Sequence, residues 1–314
     1  MTTGGAGAPP RVLVIGASGF LGTHVRDRAG AVGIDVITAG RTRLPESRSH
    51  CLVDLTSDEP GALARVLASA APDVVVNCAG ATRGDTGHLA AVNVSGTAAL
   101  VRAMRMTGRP IRLVHLGSAA EYEPSEPGTS VAETARARPA SPYGATKLAA
   151  TRLVELGRAT GLDAVVLRVF NPVGPGAPDT ILPGRVVAEL RRAMATGTDA
   201  VFGPLDAVRD FVDARDVADA ALAAATVPVL TSSVVNVGSG AGATARALVQ
   251  ELADISGYTG PVRESAGGSP HSAGLSWQQA DIGRAGRELG WQPRHDLRTS
   301  LADMWEECRA PAAS

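Results

Sequence analysis

Only one lysine occurs among the 30 basic side chains of this 314-residue chain, so all the others are arginine. Cysteine is also scarce: Cys51, Cys78 and Cys308 lie far apart, form no CxxC pair and give no disulfide framework. This usage predicts a protein of the reducing cytoplasm. The six histidines form no HExxH or similar ligand pattern, so we predict no metal site.

Long apolar runs and a strong excess of charge are absent as well. No stretch approaches about eighteen uncharged apolar residues, so we predict no membrane-spanning helix. The formal net charge of −1 gives no electrostatic footprint for nucleic acid or for an anionic membrane. Residues 1–10 have neither a basic cluster nor an apolar run, so they predict a disordered tail rather than a signal peptide.

Short β-branched runs alternate with alanine- and leucine-rich stretches of helical length through the first half of the chain. The runs are nearly continuous in Val, Ile and Leu, as expected for parallel strands that are covered on both faces. The candidate strands are Arg11–Ile15, Asp35–Ala39, Asp73–Asn77, Arg112–Leu116 and Ala164–Val169, and the candidate helices are Leu21–Ala31, Gly61–Ala70, Leu89–Met106 and Tyr143–Thr160. The alternation predicts an α/β protein with a Rossmann-type doubly wound parallel sheet.

The pattern changes after residue 170. A Pro- and Gly-rich stretch precedes a helix at Pro183–Thr196, and later two helical patterns flank a Gly/Ser/Pro loop at Glu264–Ser276. A helix at Asp213–Ala225 and a strand at Val234–Val237 indicate a return to the sheet. We therefore predict a sheet domain at residues 11–170 with a return segment at 212–239, and a small C-terminal cap from residues 171–211 and 240–308. The three tryptophans are expected in the cap core rather than as base-stacking platforms: Trp277, Trp291 and Trp305.

The first candidate strand runs into a GxxGxxG turn that opens a helix. Glycines permit a tight turn and close backbone approach, and a helix N-terminus presents free N–H groups to a pyrophosphate. Glycine spacing alone is a weak signal in a chain with 36 glycines, but its place at the first β-to-α junction predicts a dinucleotide site. The predicted contacts are Gly16, Ser18, Gly19, Phe20, Leu21 and Gly22.

The end of the second strand bears on the choice between NAD and NADP. A carboxylate there would bind the ribose 2′-hydroxyl, whereas an arginine suits a 2′-phosphate. Here the strand is followed by Arg41 and Arg43 and by no acid. This favours NADP(H), with Arg41 as the contact. It leaves NAD(H) open, because either arginine can also be a solvated loop residue.

Several residues farther along are expected near the cofactor. Asp54, followed by Leu55, either hydrogen-bonds the adenine amino group or caps a turn. Asn93 is a polar residue on an otherwise apolar helix, so it is either a satisfied core asparagine or, as we favour, a support for the active site. The end of the fourth strand section is predicted to line the cofactor groove with Cys78, Ala79 and Gly80.

The single lysine, Lys147, comes four residues after Tyr143. Residues four apart share one face of a helix, so we expect the ammonium beside the phenol. An adjacent cation lowers a tyrosine pKa from about 10 towards the working pH. A lysine kept in a chain that otherwise uses arginine indicates that this position needs the compact ammonium. The alternative is a surface tyrosine with a lysine nearby by chance.

These motifs together resemble the extended branch of the short-chain dehydrogenase/reductase superfamily, which contains nucleotide-sugar epimerases, dehydratases and ketoreductases. The resemblance covers residues 11–306 and rests further on Ser118 and on the segments 168–176, 209–213 and 235–240. It implies that Ser118 orients the reacting oxygen and that Tyr143 is the general acid or base. It also implies that Lys147 binds the nicotinamide ribose, and that the nicotinamide ring gives or takes hydride.

The residues after Ser118 narrow the reaction. Sugar 4,6-dehydratases of this branch carry an Asp-Glu pair directly after the active-site hydroxyl, and UDP-glucuronate decarboxylases carry a glutamate two positions after it. Ala119 and Ala120 stand there in this chain, so we predict neither activity. The segments 117–122, 170–176 and 203–211 look most like NADPH-dependent GDP-4-keto-6-deoxymannose reductases, although Glu123 replaces the usual glycine.

We therefore predict NADPH-dependent reduction of an NDP-4-keto-6-deoxyhexose. An NAD-dependent NDP-sugar 4-epimerase is the first alternative, and a non-catalytic nucleotide sensor on the same fold is the second. The resemblance also implies that the cap binds substrate, and that the protein forms a homodimer through helices that include Leu89–Met106 and Tyr143–Thr160.

The substrate contacts that the resemblance implies are Ser118, Ala119, Tyr143, Asn171, Arg185, Val186 and Arg209. Asn171 has an alternative role as a turn residue before Pro172. For Arg209, a guanidinium suited to a diphosphate, the alternative is an ion pair with Asp210 or Asp213.

Overall fold

The computed structural model describes residues 9–265 and 276–309. Its strands are β1 Arg11–Ile15, β2 Asp35–Gly40, β3 His50–Leu52, β4 Val74–Asn77, β5 Arg112–Ser118, β6 Ser130–Val131, β7 Ala164–Val169, β8 Asn171–Val173, β9 Ala200–Phe202, β10 Val208–Asp213, β11 Val234–Val237, β12 Gly242–Thr244, β13 Val262–Glu264 and β14 Trp277–Ala280. Its α-helices are α1 Phe20–Ala31, α2 Pro60–Ala70, α3 Thr86–Leu89, α4 Gly96–Met106, α5 Pro142–Ala159, α6 Leu182–Thr196, α7 Ala214–Thr226, α8 Ala245–Ser256, α9 Gly283–Leu289 and α10 Leu297–Arg309. Most of the predicted tail at residues 1–10 and most of the predicted loop at Glu264–Ser276 lie outside the described residues.

Seven strands form one parallel sheet in the order β11-β7-β5-β4-β1-β2-β3. The first strand, β1, lies in the middle of the sheet, and the next two strands, β2 and β3, follow outward on one side. The chain then crosses to β4 on the other side and again moves outward. The order reverses between β1 and β4, which is where folds of this kind bind nucleotides. The predicted Rossmann-type doubly wound sheet is confirmed.

Both faces of this sheet are covered by helices. Side chains alternate along a strand, so each strand sends residues into both covered faces. Val12 and Val14 of β1 join a core cluster with residues of α1 and α7. Leu13 and Ile15 join a second cluster with residues of α2, α4 and α5. Two covered faces explain why the strands are continuous in Val, Ile and Leu instead of alternating with polar residues.

A smaller region carries a second sheet, in which β12, β10, β14 and β6 are neighbours and β8 pairs with β10. Helices α6, α8 and α10 pack there around a core of their own, which includes Trp305 as predicted. Trp291 corrects the prediction, because it packs in the cluster of α1 and α7 and its indole donates to the Asp216 carbonyl at 2.9 Å. Trp277 in β14 donates to the Thr129 carbonyl at 2.8 Å. The domain boundaries stay a prediction.

The predicted helix Leu89–Met106 is interrupted. Helix α3 ends at Leu89, a π-helical turn covers Ala90–Ser95, and α4 begins at Gly96. A π turn inserts one extra residue per turn and often marks a functional site. This turn contains Asn93, whose amide bonds the loop after β4 and Thr146 of α5. Periodicity of apolar residues cannot distinguish such a turn from a regular helix.

Among the residues at 9–265 and 276–309, no helix is long and apolar enough to cross a membrane. The same residues contain no group of three or more His, Cys, Asp or Glu side chains arranged to hold a metal ion. Cys51, Cys78 and Cys308 are free thiols.

The turn between β1 and α1 depends on close backbone contacts. Gly16 has φ +78°, and a Cβ on it would lie 2.8 Å from the Ala79 nitrogen. A Cβ on Gly22 would lie 2.0 Å from the Gly16 carbonyl oxygen. Neither position therefore accepts a side chain unless backbone moves, and the turn stays tight against the loop after β4.

We expect Gly22→Ala to lower the free energy of unfolding by about 1–3 kcal/mol or more, because the new methyl group meets backbone rather than a flexible side chain. Gly30→Ala in the same helix is the matched control. A Cβ on Gly30 has no atom within 4 Å, so this change should be neutral or stabilise by about 0.4–1 kcal/mol. Thermal melting followed by circular dichroism measures both, and equal melting temperatures for the two variants would contradict the packing.

Candidate active site

The carboxyl ends of β1, β4 and β5 meet at one edge of the sheet, because these strands are parallel and in register. The glycine turn follows β1, and Ser118 ends β5. A Cβ on Gly80, in the loop after β4, would lie 3.9 Å from Lys147 Nζ. The structure therefore brings the predicted cofactor turn, the β4 loop and the predicted catalytic residues to one place.

The start of α1 fits an anionic ligand. Its N-cap residue, Gly19, forms no side-chain cap, and its first turn has no acidic residue. The first N–H groups of a helix without such a cap are donors for a phosphate. Ser18 and Gly19 are exposed at this point, whereas Gly22 and part of Leu21 pack into the fold. Phe20 packs edge-on against His24, with ring centroids 5.6 Å apart.

Arg41 directly follows β2 and is exposed at the side of the site where that strand ends. Asp54 lies near it and caps a turn, since its Oδ1 accepts from Thr56 N–H at 2.9 Å and from Thr56 Oγ1 at 2.7 Å. These hydrogen bonds are the main cause of the lowered pKa of Asp54, and Arg41 contributes. The turn-capping interpretation of Asp54 is therefore present in the structure. Leu55 is buried, so its side chain belongs to the core.

Asn77 and His115 form a buried polar pair that the sequence analysis missed. Asn77 Oδ1 accepts from Ala79 N–H at 3.1 Å, so its Nδ2 is the donor to His115 Nδ1, also at 3.1 Å. Burial holds the pKa of His115 well below its usual value, and Lys147 lowers it further. The imidazole is therefore neutral and holds the β4 loop next to the glycine turn. A single histidine within an otherwise apolar strand was the available signal.

Asn93 is a buried asparagine with satisfied hydrogen bonds, and its role as a support for the active site stays a prediction. It is 3% exposed, its Oδ1 accepts from Ala81 N–H at 2.8 Å, and its Nδ2 donates to the Ala81 carbonyl at 2.9 Å and to Thr146 Oγ1 at 3.0 Å. These three hydrogen bonds tie the loop after β4 to α5. The amide therefore acts through the loop that it holds.

The first turn of α5 carries Tyr143 into the site. Ser141 caps this helix by accepting from Gly144 N–H at 3.1 Å, and Pro142 occupies the first position, where a missing N–H is harmless. A Cβ on Gly144 would lie 2.2 Å from the Ala120 carbonyl oxygen. The helix start therefore rests directly on the 3-10 turn Ala119–Glu121 that follows Ser118. This contact allows Ser118 to form a hydrogen bond with the Tyr143 side chain.

The predicted effect of Lys147 on Tyr143 is corrected by the structure. Burial raises the pKa of Tyr143, and Glu121 raises it further. Ser118, rather than Lys147, is the group that lowers it. Burial in a low-dielectric site disfavours phenolate more strongly than the sequence argument allowed. The phenol consequently stays protonated at neutral pH.

Lys147 is buried one helical turn after Tyr143, as the spacing predicts. Its Nζ donates to the Leu116 carbonyl at 2.5 Å, which turns the ammonium towards the end of β5. Burial lowers the pKa of Lys147, while Glu121 and Cys78 raise it. Burial raises the pKa of the Cys78 thiol to about 12, so this cysteine is a neutral wall of the groove rather than a nucleophile.

Apart from Ser118 and Tyr143, the predicted substrate contacts are three polar residues and two buried apolar residues. Asn171, in β8, donates from Nδ2 to the Asp210 carbonyl at 3.0 Å, and Arg209, in β10, is 7% exposed and donates to the Val208 carbonyl at 2.8 Å. Arg185 is exposed on α6. Ala119 is only 4% exposed and Val186 lies fully buried in the cap core, so neither side chain is at the surface, and their roles as substrate contacts stay predictions.

For Arg209, the ion-pair alternative involved two acids, and both have other partners. The Asp210 carboxylate accepts from the backbone N–H groups of Ser239, Gly240 and Ala280. The Asp213 carboxylate forms its ion pair with Arg215 at 2.7 Å. These two acids organise the cap sheet and the start of α7.

Below Ser118 lies a buried charged network that the sequence analysis did not assign. Glu121 is fully buried and pairs with Arg168 at 2.8 Å, and the Arg168 guanidinium lies 4.4 Å from the ring centroid of Tyr122. The Tyr122 hydroxyl donates to Asn236 Oδ1 at 2.7 Å. All four residues occur in the motifs that carry the family resemblance. Glu121 and Arg168 are 47 residues apart, and nothing in the sequence indicates that they pair.

Comparison with known proteins gives full-length similarity to several enzymes. The chain is 39% identical to dTDP-6-deoxy-L-talose 4-dehydrogenase (NAD(P)(+)) of Kitasatospora kifunensis, over 98% of both chains. It is 31% identical to UDP-glucose 4-epimerase of Mycolicibacterium smegmatis, over 94% of this chain and 97% of the relative. It is 28% identical to GDP-6-deoxy-D-mannose reductase of Pseudomonas aeruginosa, again over 94% of this chain and 97% of the relative.

Solved structures have the same fold. RMD from Pseudomonas aeruginosa, complexed with NADPH, superposes with a TM-score of 0.82 at 25% identity, covering 96% of this chain and 100% of the other. UDP-glucose 4-epimerase of Thermus thermophilus, complexed with NAD, gives a TM-score of 0.83 at 26% identity, covering 97% and 100%. The model of the NAD dependent epimerase/dehydratase family matches residues 12–238. With its glycine turn, its strand-end serine and its tyrosine–lysine helix in one site, the chain belongs to the NAD dependent epimerase/dehydratase family.

Proposed function

We propose that this protein is an NADP(H)-dependent ketoreductase that reduces the 4-keto group of a nucleotide-linked 4-keto-6-deoxyhexose. The observation that carries the proposal is the hydrogen bond between Ser118 and a Tyr143 phenol whose pKa is raised by burial, at the edge where the dinucleotide turn ends. A protonated phenol is the form that a reductase needs, because reduction ends with proton transfer to an alkoxide. The relatives named a 4-dehydrogenase and a 6-deoxymannose reductase act on 6-deoxy sugars by name, which supports this chemistry.

In the proposed mechanism the residues of this chain orient the carbonyl and supply a proton. Ser118 Oγ accepts from Ala120 N–H at 3.2 Å and donates its own hydrogen to the Tyr143 oxygen, which leaves the phenol proton for the sugar oxygen. Tyr143 then gives its proton to the oxygen as the carbonyl becomes an alcohol. A bound nicotinamide supplies the hydride. Lys147, held by the Leu116 carbonyl and close to Cys78, is the residue that would bind the ribose of the nicotinamide.

The side chains around Ser118 also favour simple reduction over elimination. The two residues after Ser118 are alanines, and the carboxylate of Glu121 is fully buried in its pair with Arg168. Elimination of water from a sugar needs an additional acid and base at the reacting carbons. These positions offer none, which supports a reaction limited to hydride and proton transfer.

Replacement of Tyr143 by phenylalanine tests the proposed function. We expect the rate of NADPH oxidation with an NDP-4-keto-6-deoxyhexose to fall by about 10²–10⁴-fold, because the proton donor is lost. Tyr258→Phe is the matched control, since the Tyr258 hydroxyl serves the cap by accepting from Ala200 N–H at 2.9 Å. It should keep wild-type activity.

The same preparation separates the alternatives. Turnover of a UDP-sugar without added nicotinamide, together with tightly bound NAD in the absorption spectrum, would reject the reductase in favour of a 4-epimerase. The similarity of this chain to UDP-glucose 4-epimerases is the reason for testing this alternative. Unchanged behaviour of Tyr143→Phe in every activity would instead favour a non-catalytic nucleotide sensor.

The preference for NADP(H) is part of the proposal and rests on Arg41. This guanidinium is exposed directly after β2, where residues 41–43 include no acid, and it is near enough to Asp54 of the next loop to contribute to the lowered pKa of that carboxyl. A charge-assisted contact with a 2′-phosphate suits such a group.

We expect Arg41→Asp to raise the KM for NADPH at least about tenfold and to change the KM for NADH much less, because loss of a hydrogen bond to a charged group costs about 1.5–3 kcal/mol. Arg48→Asp, at another exposed position of the same loop, is the control and should leave both constants near the wild-type values. Initial-rate kinetics with both coenzymes provide the measurement. A parallel change for NADPH and NADH would contradict the role of Arg41.

We also propose a cytoplasmic homodimer. The free thiols agree with a reducing compartment. The outer faces of α4 and α5 form a groove lined by Ala98, Val101, Arg102, Arg105, Met106 and Leu153. Met106 and Leu156 are exposed apolar residues on these two helices. An apolar face that a second copy covers would account for their exposure.

Leu156→Arg is expected to convert the dimer to a monomer, because an unpaired charge would be buried at the centre of the contact. Val229→Arg is the control, since Val229 is 69% exposed and Leu156 is 64% exposed, but Val229 follows α7. Sedimentation velocity of the three proteins measures the association. A monomeric wild-type protein, or dimers of all three, would reject this surface.

A further inference from the structure

Glu121 is placed so that it connects the strand end that carries Ser118 with the helix that carries Tyr143. Its Oε1 accepts from the Ser118 N–H at 2.8 Å. Its Oε2 accepts from Thr151 Oγ1 at 2.8 Å and from Arg168 Nε at 2.8 Å. Thr151 lies on α5 eight residues after Tyr143, on the face that also carries Lys147.

The burial of this carboxylate is more than a helix cap requires. Glu121 and Ser118 form a capping box, but the 3-10 turn that they cap has only three residues. The Glu121 side chain is 0% exposed and the Arg168 side chain is 3% exposed. A buried ion pair is weak evidence for a role in stability, because desolvation of both charges opposes their attraction. The position of the pair beside the reacting groups is therefore its informative property.

The surrounding backbone makes room for the carboxylate. A Cβ on Gly117 would lie 2.7 Å from Glu121 Oε1 and 2.7 Å from Val166 Cγ1. A glycine directly before Ser118 thus lets the carboxylate come under the strand end. Glu121, Gly117 and Arg168 together hold the Ser118 backbone in place.

We propose that Glu121 is a positioning residue for the reaction at Ser118 and Tyr143: one carboxylate oxygen holds the Ser118 backbone, and the other is anchored to α5 and to Arg168. The proposal rests on the proposed function for its kinetic consequence. It goes beyond that function because it assigns a buried acid that touches neither substrate nor cofactor.

The charge of Glu121 reaches the reacting groups as well. Glu121 raises the pKa of Tyr143 and the pKa of Lys147. The other charged or titratable groups around them are Cys78 and His115 near Lys147, and Arg168 on the far side of the carboxylate. Loss of the negative charge must therefore favour phenolate. A purely mechanical support would not change the titration of the phenol.

The test compares Glu121→Gln, Glu121→Asp and, as a matched control, Glu123→Gln. In Glu121→Gln we expect kcat of the reductase to fall about 10- to 100-fold with little change in either KM, because the reacting groups are misplaced rather than lost. The alkaline limb of its rate profile should move to lower pH, because the protonated phenol is lost earlier. Glu121→Asp keeps the charge but is too short to reach both Ser118 and Arg168, so its kcat should fall while the limb stays in place. Glu123→Gln should match the wild type.

A second readout does not depend on activity. The chain has three tyrosines, so the ultraviolet absorbance of phenolate can be titrated in each protein and in its Tyr143→Phe counterpart. The difference gives the titration of Tyr143 alone. We expect its midpoint to move to lower pH in Glu121→Gln only.

Three results would overturn the assignment. These are an unmoved Tyr143 midpoint in folded Glu121→Gln, a fall in kcat that follows only a lowered melting temperature with no shift of the pH limb, and wild-type kcat in Glu121→Asp. Glu121→Asp keeps a carboxylate to pair with Arg168, so it still tests the assignment if Glu121→Gln does not fold. If the wild-type protein reduces no keto-sugar but the Tyr143 midpoint moves as expected, the proposed function fails and the role of Glu121 stands.

Discussion

The site depends on one close contact, in which the first turn of α5 rests on the backbone of the short turn after Ser118. Gly144 makes this approach possible, since a Cβ there would lie 2.2 Å from the Ala120 carbonyl oxygen. The contact brings a residue at the end of a strand and a residue at the start of a helix within hydrogen-bond reach. The hydrogen bond between Ser118 and Tyr143 follows from that proximity, whereas the raised pKa of Tyr143 comes from burial.

Several polar side chains at this edge are buried and form hydrogen bonds with neighbouring protein groups. Asn93 ties the β4 loop to α5, Asn77 and His115 tie that loop to β5, and Lys147 binds the Leu116 carbonyl. Burial keeps a histidine neutral and a tyrosine protonated, while a buried acid and a buried arginine neutralise each other. Such a network keeps charged forms in fixed places, which is a requirement for controlled proton transfer.

Most of the fold was predictable from local patterns. Five candidate strands match observed strands to within two residues, because apolar runs covered on both faces are a strong signal. The glycine turn and the Tyr143–Lys147 helix were also predictable, since their geometry is set over a few residues. The π turn at Ala90–Ser95 was missed because apolar periodicity does not distinguish it from a regular helix, and the short cap strands were missed because their hydrogen bonds are made with distant segments.

The sequence by itself determined the Rossmann-type sheet, the glycine turn and the placing of Tyr143 and Lys147 one turn apart on a helix, because each depends on the order of neighbouring residues. Only the tertiary structure decided the protonation of Tyr143, the neutral state of His115 and the burial of Val186 and Ala119. It also decided that Glu121 and Arg168 meet beneath Ser118. These properties depend on burial and on contacts between segments far apart in the chain, and spacing along the sequence carries no measure of either.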